Sequence, residues 1–307
     1  MIPERIVKTL QCPCHKLPLK LEKDSLVCQN GRDFPIYNGI PSILMKNPEG
    51  EIWNPWSIDE VAMSGDSYYK RSIGELPEKE ASKSYARFLK KHKLYEKGDT
   101  ILDFGCATGH FLRSFRRLLD PKVLYTGIDS HLPFLQWGGE AYGIDNTCTF
   151  IHCDVLDLPF SDNSYDTSIV NLFHFFPNIH NALKESMRVT KKFIVWRTPI
   201  GEKVNYAIKI IMDNDFNKIG IITPDREDID YDLYMLFTKK YITDLVKSLG
   251  GEVPIIEKDT NFKDFDNTAL PEFEHMPATK TIDGMQINGN LVLDWNYFVI
   301  DCSKVKK

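Results

Sequence analysis

The stretch ILDFGCATGHF, Ile101 to Phe111, holds the residues best placed to do chemistry. An apolar run carries Asp103 near its end, and the small residues Gly105, Ala107 and Gly109 follow at alternate positions. Small residues let a turn bring its backbone close to a ligand; Gly105 and Gly109 could also serve only to make that turn tight. A dinucleotide loop, G-x-G-x-x-G, would want glycine at 105, 107 and 110. This chain has Ala107 and His110, which makes the close helix–strand packing behind a pyrophosphate awkward. Asp103 would repel phosphate and suits a ligand that carries an ammonium group.

Two further acids extend the pattern. YTGIDS brings Asp129 to the end of a second apolar run, twenty residues after Gly109. An acid there can accept hydrogen bonds from both ribose hydroxyls; its plainer role would be to cap a helix beginning near Leu132. In CDVLDLPFSDNSYD, Asp154 can accept from an adenine amine, and the Val155 N–H can donate to a ring nitrogen. Adenine, ribose and an ammonium without phosphate describe S-adenosylmethionine.

These residues need a scaffold that brings them to one edge. From Thr100 the chain alternates strands, expected at 100–104, 122–128, 147–151, 165–170 and 192–197, with helices. Phe111, Leu112, Phe115, Leu118 and Leu119 form one stripe of helical period. FTKKYITDLVKSLGGEV reads as a helix closed by glycines before a strand at 253–257, and LVLDWNYFVIDC reads as a last strand. Such alternation implies an α/β fold with a doubly wound, mostly parallel, Rossmann-like sheet. The expected organisation is a small β-rich ribbon module at 1–48, a linker and helical lid at 49–99, and the α/β domain at 100–307. Long insertions are expected at about 201–234 and 258–290, where substrate sites are often shaped.

Taken together, ILDFGCATG, YTGIDS, CDVLDLPFSDNSYD and SIVNLFHFFPNIHNALKESMRV resemble the class I S-adenosylmethionine-dependent methyltransferases. The resemblance covers roughly 82–200 and extends to the helix at 237–250. It implies a seven-stranded sheet with an antiparallel last strand. It also implies cofactor contacts at Asp103, Gly105, Cys106, Ala107, Gly109, Asp129, Ser130, Asp154, Val155 and Asn171. NLFHFFPN, Asn171 to Asn178, then occupies the position that faces the reacting methyl group. It lacks the Asn/Asp-Pro-Pro-Tyr pattern of many amino-group methyltransferases. His174 is the candidate general base, since an unperturbed histidine is poised near neutral pH; a core or helix-flanking role is the alternative. Phe173, Phe175 and Phe176 would make an apolar rim. His131 and His180 are weaker candidates at probable helix starts. Tyr68, Tyr69 and Arg71 could belong to a lid over the cofactor. Arg197 could hold an anionic substrate group or form an interdomain salt bridge.

The first residues carry a separate signal. Cys12-Pro13-Cys14-His15 looks like a zinc knuckle, but Cys28 is the single cysteine of the segment that would be the second. Cys12, His15 and Cys28 are three plausible ligands where a closed structural site needs four. The segment, through FPIYNGIPSIL, resembles the zinc-ribbon-like module found as a methyltransferase activator and as an N-terminal fusion. With the ligand set degraded, a metal-free ribbon is expected.

Composition narrows the function further. The chain has 307 residues and a formal net charge of −5, a balance that does not favour nonspecific nucleic-acid binding. One basic stretch, Lys70 to Lys97, reads as a solvated helix face. No apolar run reaches bilayer length, and the N-terminus lacks a secretory core, so a cytoplasmic enzyme is expected. The expected activity is methyl transfer to a small or medium-sized acceptor, such as O-methylation of a sugar-derived or other metabolite. RNA methylation is the alternative among enzymes; a non-catalytic cofactor-binding partner subunit is the alternative outside them.

Overall fold

The computed structural model describes residues 2–45, 58–171, 173–175, 178–211, 230–260, 279–282, 285–288 and 291–305. After α1 (Glu4–Val7), four short strands form an antiparallel sheet in the order of the chain: β1 (Leu19–Glu22), β2 (Ser25–Cys28), β3 (Asp33–Tyr37) and β4 (Ile40–Pro41). Two helices follow, α2 (Ile58–Ile73) and α3 (Glu80–Lys91). On α3 Tyr85, Phe88 and Leu89 are buried at helical spacing, while His92 ends the helix half-buried.

The main domain alternates β5 (Thr100–Phe104), α4 (Phe111–Leu118), β6 (Leu124–Asp129), α5 (Leu132–Tyr142), β7 (Cys148–His152), β8 (Tyr165–Val170), α6 (Ile179–Val189) and β9 (Thr190–Ile200). β5 is buried along nearly its whole length, as expected of a central parallel strand covered on both faces. Asn178 caps α6 by accepting from the Asn181 N–H at 3.3 Å.

The first insertion contains a hairpin of β10 (Asn205–Ile211) and β11 (Asp230–Leu236). Next come α7 (Lys239–Ser248), β12 (Ile255–Lys258), β13 (Thr279–Ile282), β14 (Met285–Asn288) and β15 (Leu291–Asp301). Thr238 caps α7 by accepting from the Tyr241 N–H, and Gly250 closes it at φ 83°.

The principal sheet has nine strands in the order β13-β14-β15-β9-β8-β5-β6-β7, with β12 also on β15. β7, β6, β5, β8 and β9 are parallel neighbours; β15 runs antiparallel to β9. Together with β12 these make the seven-stranded Rossmann-like sheet that the sequence led us to expect. The hairpin β13–β14 adds two strands from the second insertion.

One face of the sheet packs on α3 and α4, through Tyr85, Phe88, Leu112 and Phe115. The other packs on α6 and α7 and on the N-terminal module, through Leu183, Val246, Leu26 and Phe34. The small module therefore shares a core with the domain. It also extends the sheet: Ser42 forms a parallel bridge to His152, and the Ile43 N–H donates to the His152 carbonyl at 2.7 Å.

Candidate functional site

The strand order reverses at β5, whose neighbours β6 and β8 carry the chain in opposite directions. Ligands of open α/β sheets bind at such a switch point, beyond the C-terminal ends of the strands. Asp103, Asp129, Asp154 and Asn171 lie at or just after the ends of β5, β6, β7 and β8, along that edge.

Backbone conformation shapes the loop. Gly105, Ala107 and Gly109 all have left-handed φ, of 64°, 49° and 71°. A Cβ at Gly109 would stand 2.9 Å from the Phe150 ring, so glycine is required there by both conformation and space. Ala107, the non-glycine of the set, is held by Asp129, whose Oδ2 accepts from the Ala107 N–H at 2.9 Å. The other oxygen of Asp129 accepts from the His131 N–H at 3.0 Å. Asp129 thus ties the glycine loop to the turn before α5, while the N-cap position of α5, His131, carries no side-chain cap. Cys106 is buried, and its N–H donates to the Ile128 carbonyl, tying the loop to β6.

Asp103 is buried, and its Oδ2 accepts from the Tyr125 hydroxyl at 2.6 Å. Burial pushes its pKa up to about 7, against the pull of the Tyr125 bond; Asp129 adds to the rise. Tyr125 was not evident from the sequence. It precedes Gly127, which is in register with Asp103, so the phenol reaches diagonally between strands. Asp154 accepts from the Leu156 N–H at 2.9 Å, which shapes the turn after β7, and burial raises its pKa. Val155 in that turn is buried.

The lid expectation falls on α2. Tyr68 stacks on His110 with ring centroids 4.6 Å apart and planes 7° from parallel. The Ser72 hydroxyl lies 3.0 Å from that of Thr108, inside the glycine loop. Tyr69 lies beside Trp137, and the Arg113 guanidinium donates to the Arg71 carbonyl. Arg71 itself is buried and donates to the Pro77 carbonyl at 2.6 Å. The helix is therefore fastened to the loop that begins the site.

On β9, Arg197 is buried and pairs with Asp259, Nε to Oδ2 at 2.7 Å. Its Nη1 donates to the Asn171 side chain at 3.3 Å, and its guanidinium lies 4.1 Å from the centre of the Trp295 ring. Ser84 donates to the other oxygen of Asp259 at 2.6 Å. The sequence offered an anionic-substrate contact or an interdomain salt bridge for Arg197; the pair it makes is a salt bridge within the α/β domain. Asp259 and Trp295 were missed because they lie 62 and 98 residues beyond Arg197 and belong to no local pattern.

His174 is buried, edge-on to Trp295 at 5.3 Å between ring centroids. Burial, with Arg197 nearby, pulls its pKa down to about 3, so the ring is neutral throughout the working range. That differs from the near-neutral titration expected of a general base. Phe173 packs in the core between Phe104 and Trp196 instead of forming a rim. The side chains of Phe175 and Phe176 lie outside the described residues. His180 is exposed, whereas His131 sits against Asp129.

In the N-terminal module Cys12, His15 and Cys28 converge, with donor atoms all within 4.8 Å of one another. The sulfurs of Cys12 and Cys28 lie 3.5 and 3.6 Å from His15 Nδ1. Tetrahedral zinc with bonds of about 2.3 Å to sulfur and about 2.0–2.1 Å to nitrogen would space such atoms by about 3.6 Å. The two sulfur–nitrogen spacings are therefore those a shared tetrahedral ion would need. Cys14 turns away to Met45 and Arg32, and among the described residues no fourth ligand joins the group.

Residues 101–192 match the family model described as a methyltransferase domain. Cycloartenol-C-24-methyltransferase of Arabidopsis thaliana is 31% identical over 118 residues, 37% of this chain and 34% of that protein. Demethylmenaquinone methyltransferase of Staphylococcus aureus is 31% identical over 113 residues, 36% of this chain and 47% of that protein. The chain thus spans about a third to a half of the length of these relatives. Among solved structures, a complex of the Haloferax volcanii Trm112 methyltransferase activator and a putative methyltransferase gives a TM-score of 0.47 at 18% identity, over 79% of this chain and 97% of that one. A putative sarcosine dimethylglycine methyltransferase from Galdieria sulphuraria also gives 0.47, at 14% identity, over 78% of this chain and 99% of that one.

Proposed function

We propose that this chain is an S-adenosylmethionine-dependent methyltransferase acting on a small or medium-sized acceptor. One observation carries the reading: three carboxylates, Asp103, Asp129 and Asp154, line neighbouring strand ends, and each accepts from neutral hydroxyl or backbone donors. Among the described residues none of them forms an ion pair with lysine or arginine. An edge of that charge attracts a cationic sulfur nucleoside and repels a diphosphate. The match of residues 101–192 to a methyltransferase domain supports the same conclusion.

When bound, the sulfonium supplies an electrophilic methyl group. Asp103 then holds the ammonium, and Asp129 accepts from the ribose hydroxyls. Asp154 and the Val155 N–H read the adenine edge. The fastening of α2 to the glycine loop helps to exclude water, so that acceptor and methyl can be aligned beyond Asn171. Burial makes His174 a weak base, so it serves chiefly as a packing and orienting group on the acceptor side.

The acceptors named for the sequence relatives, cycloartenol and demethylmenaquinone, support a small-molecule acceptor. Part of the basic stretch is balanced by neighbouring acids, with Lys70, Lys83, Arg87 and Lys91 beside Asp66, Glu80 and Glu257. Among the described residues no helix is long and apolar enough to cross a membrane.

Calorimetry with S-adenosylmethionine and with NADH tests the assignment. Binding of the first and not the second is expected; tight NADH binding would overturn it. Cell extract supplied with radiolabelled methyl donor, then fractionated into RNA, protein and small molecules, tests the acceptor class. Label confined to RNA would reject the small-molecule reading.

A further inference from the structure

The N-terminal module touches the cofactor edge through one short chain of bonds. The Ser42 hydroxyl lies 2.8 Å from His152 Nδ1, and His152 Nε2 lies 3.0 Å from the Ser130 carbonyl oxygen. A carbonyl can only accept, so Nε2 carries the proton; Nδ1 is then an acceptor, and Ser42 donates to it. The ring therefore has one defined tautomer and spans the gap from the end of β4 to the turn after β6. Ser130 directly follows Asp129. The Asp129 carbonyl is held as well, accepting from the Cys153 N–H at 3.1 Å.

We propose that Ser42 and His152 are positioning residues for Asp129, so that the N-terminal module completes the ribose end of the cofactor site. This rests on the S-adenosylmethionine reading. Asp129 must present its carboxylate to the ligand while also holding the Ala107 and His131 N–H groups. That balance depends on where the backbone of residues 129–130 sits. β6 fixes one side of that backbone, and the Ser42–His152 pair fixes the carbonyl on the other. The module is docked independently by other bonds: Gln11 to the Pro159 and Phe160 carbonyls, Arg5 to the Asn146 carbonyl, and Lys16 to Asp157. Loss of the Ser42 hydroxyl therefore leaves the module in place and removes only the tether.

The test uses the full chain and calorimetry with S-adenosylmethionine. Ser42→Ala and His152→Phe are each expected to weaken binding by about 3- to 10-fold, the size of a lost buried hydrogen bond. In the His152→Phe background, Ser42→Ala is expected to cost nothing further, because the two act in series. Ser42→Thr restores the hydroxyl and should restore affinity. In steady state, KM for the methyl donor rises while kcat holds, a split that a general loss of stability would not produce. Circular dichroism confirms that each variant is folded. Wild-type affinity in both single variants, or an undiminished effect of Ser42→Ala in the His152→Phe background, overturns the proposal. Asp129→Ala separates the two levels. If it abolishes binding while the Ser42 and His152 variants bind normally, only the tether is wrong. If Asp129→Ala also binds normally, the ribose reading itself fails.

Discussion

The carboxylate of Asp129 lies 2.9 Å from the backbone N–H of Ala107, 22 residues earlier in the chain. This bond joins the two halves of the candidate site, the glycine loop after β5 and the acidic turn after β6. It also steadies a residue in the left-handed region that is not glycine, a conformation costing roughly 1–2 kcal/mol.

Asp129→Ala removes that anchor together with both oxygens proposed to accept from the ribose. Hydrogen bonds to an ionised group contribute about 1.5–3 kcal/mol each, so affinity for S-adenosylmethionine should fall by about 100-fold or more. Calorimetry reads this directly, and Asp129→Asn should fall between the variant and the wild type.

Asp103 makes binding depend on pH. Its pKa is raised to about 7 in the fold, from an ordinary carboxylate value. Between about pH 4 and 7 the folded chain holds a proton that the unfolded chain has lost. Its contribution to stability therefore declines as pH rises through that window and is level above it. The ammonium of the ligand prefers the ionised carboxylate, so affinity should increase from pH 5.5 to 7.5. Asp103→Asn should flatten both trends, seen in calorimetric and thermal-unfolding series; an unchanged slope would exclude Asp103 as their source.

The buried Arg197–Asp259 pair ties Asn171 and Ser84 into one network. Removing one partner of such a pair leaves a charge in the interior, at a cost of about 3–5 kcal/mol. Asp259→Ala should lower the denaturant midpoint accordingly. Arg197→Met combined with Asp259→Leu should recover part of the loss, because no buried charge remains.

His174 is neutral across the working range. His174→Asn should therefore leave the pH dependence of kcat near neutrality unmoved, even if kcat itself drops. Disappearance of a kinetic pKa between 6 and 7 in that variant would instead identify the ring as a base.

The Cys12, His15 and Cys28 donors predict a response to added metal. One equivalent of cobalt(II) should give thiolate charge-transfer absorption, abolished in Cys28→Ser and unchanged in Cys14→Ser. With three protein ligands instead of four, the metal should be removed readily by a chelator. Metal analysis of the protein as purified checks the metal-free expectation separately.

Much of the scaffold was legible because parallel strands and amphipathic helices repeat locally. β5 and β8 span the stretches expected of them, and β6, β7 and β9 differ only at their ends. The hairpin β13–β14 was not legible, since its place beside β15 depends on pairing and not on composition. The site divides along the same line. Asp103, Asp129 and Asp154 each follow an apolar run and could be found from it. Tyr125, Asp259 and the Ser42–His152 contact could not, because each acts on a residue from a distant part of the chain.

The sequence by itself determined the alternation of strands and helices from Thr100 to Ile200, the tight turn at Gly105 and Gly109, and the acids at the strand ends, because each is written within a few neighbouring residues. Only the tertiary structure decided what those groups experience. Burial raised the Asp103 pKa and held His174 neutral. Packing gave Arg197 its partner in Asp259 and brought β4 against β7. Desolvation and long-range pairing depend on the whole fold, and no local stretch of chain encodes them.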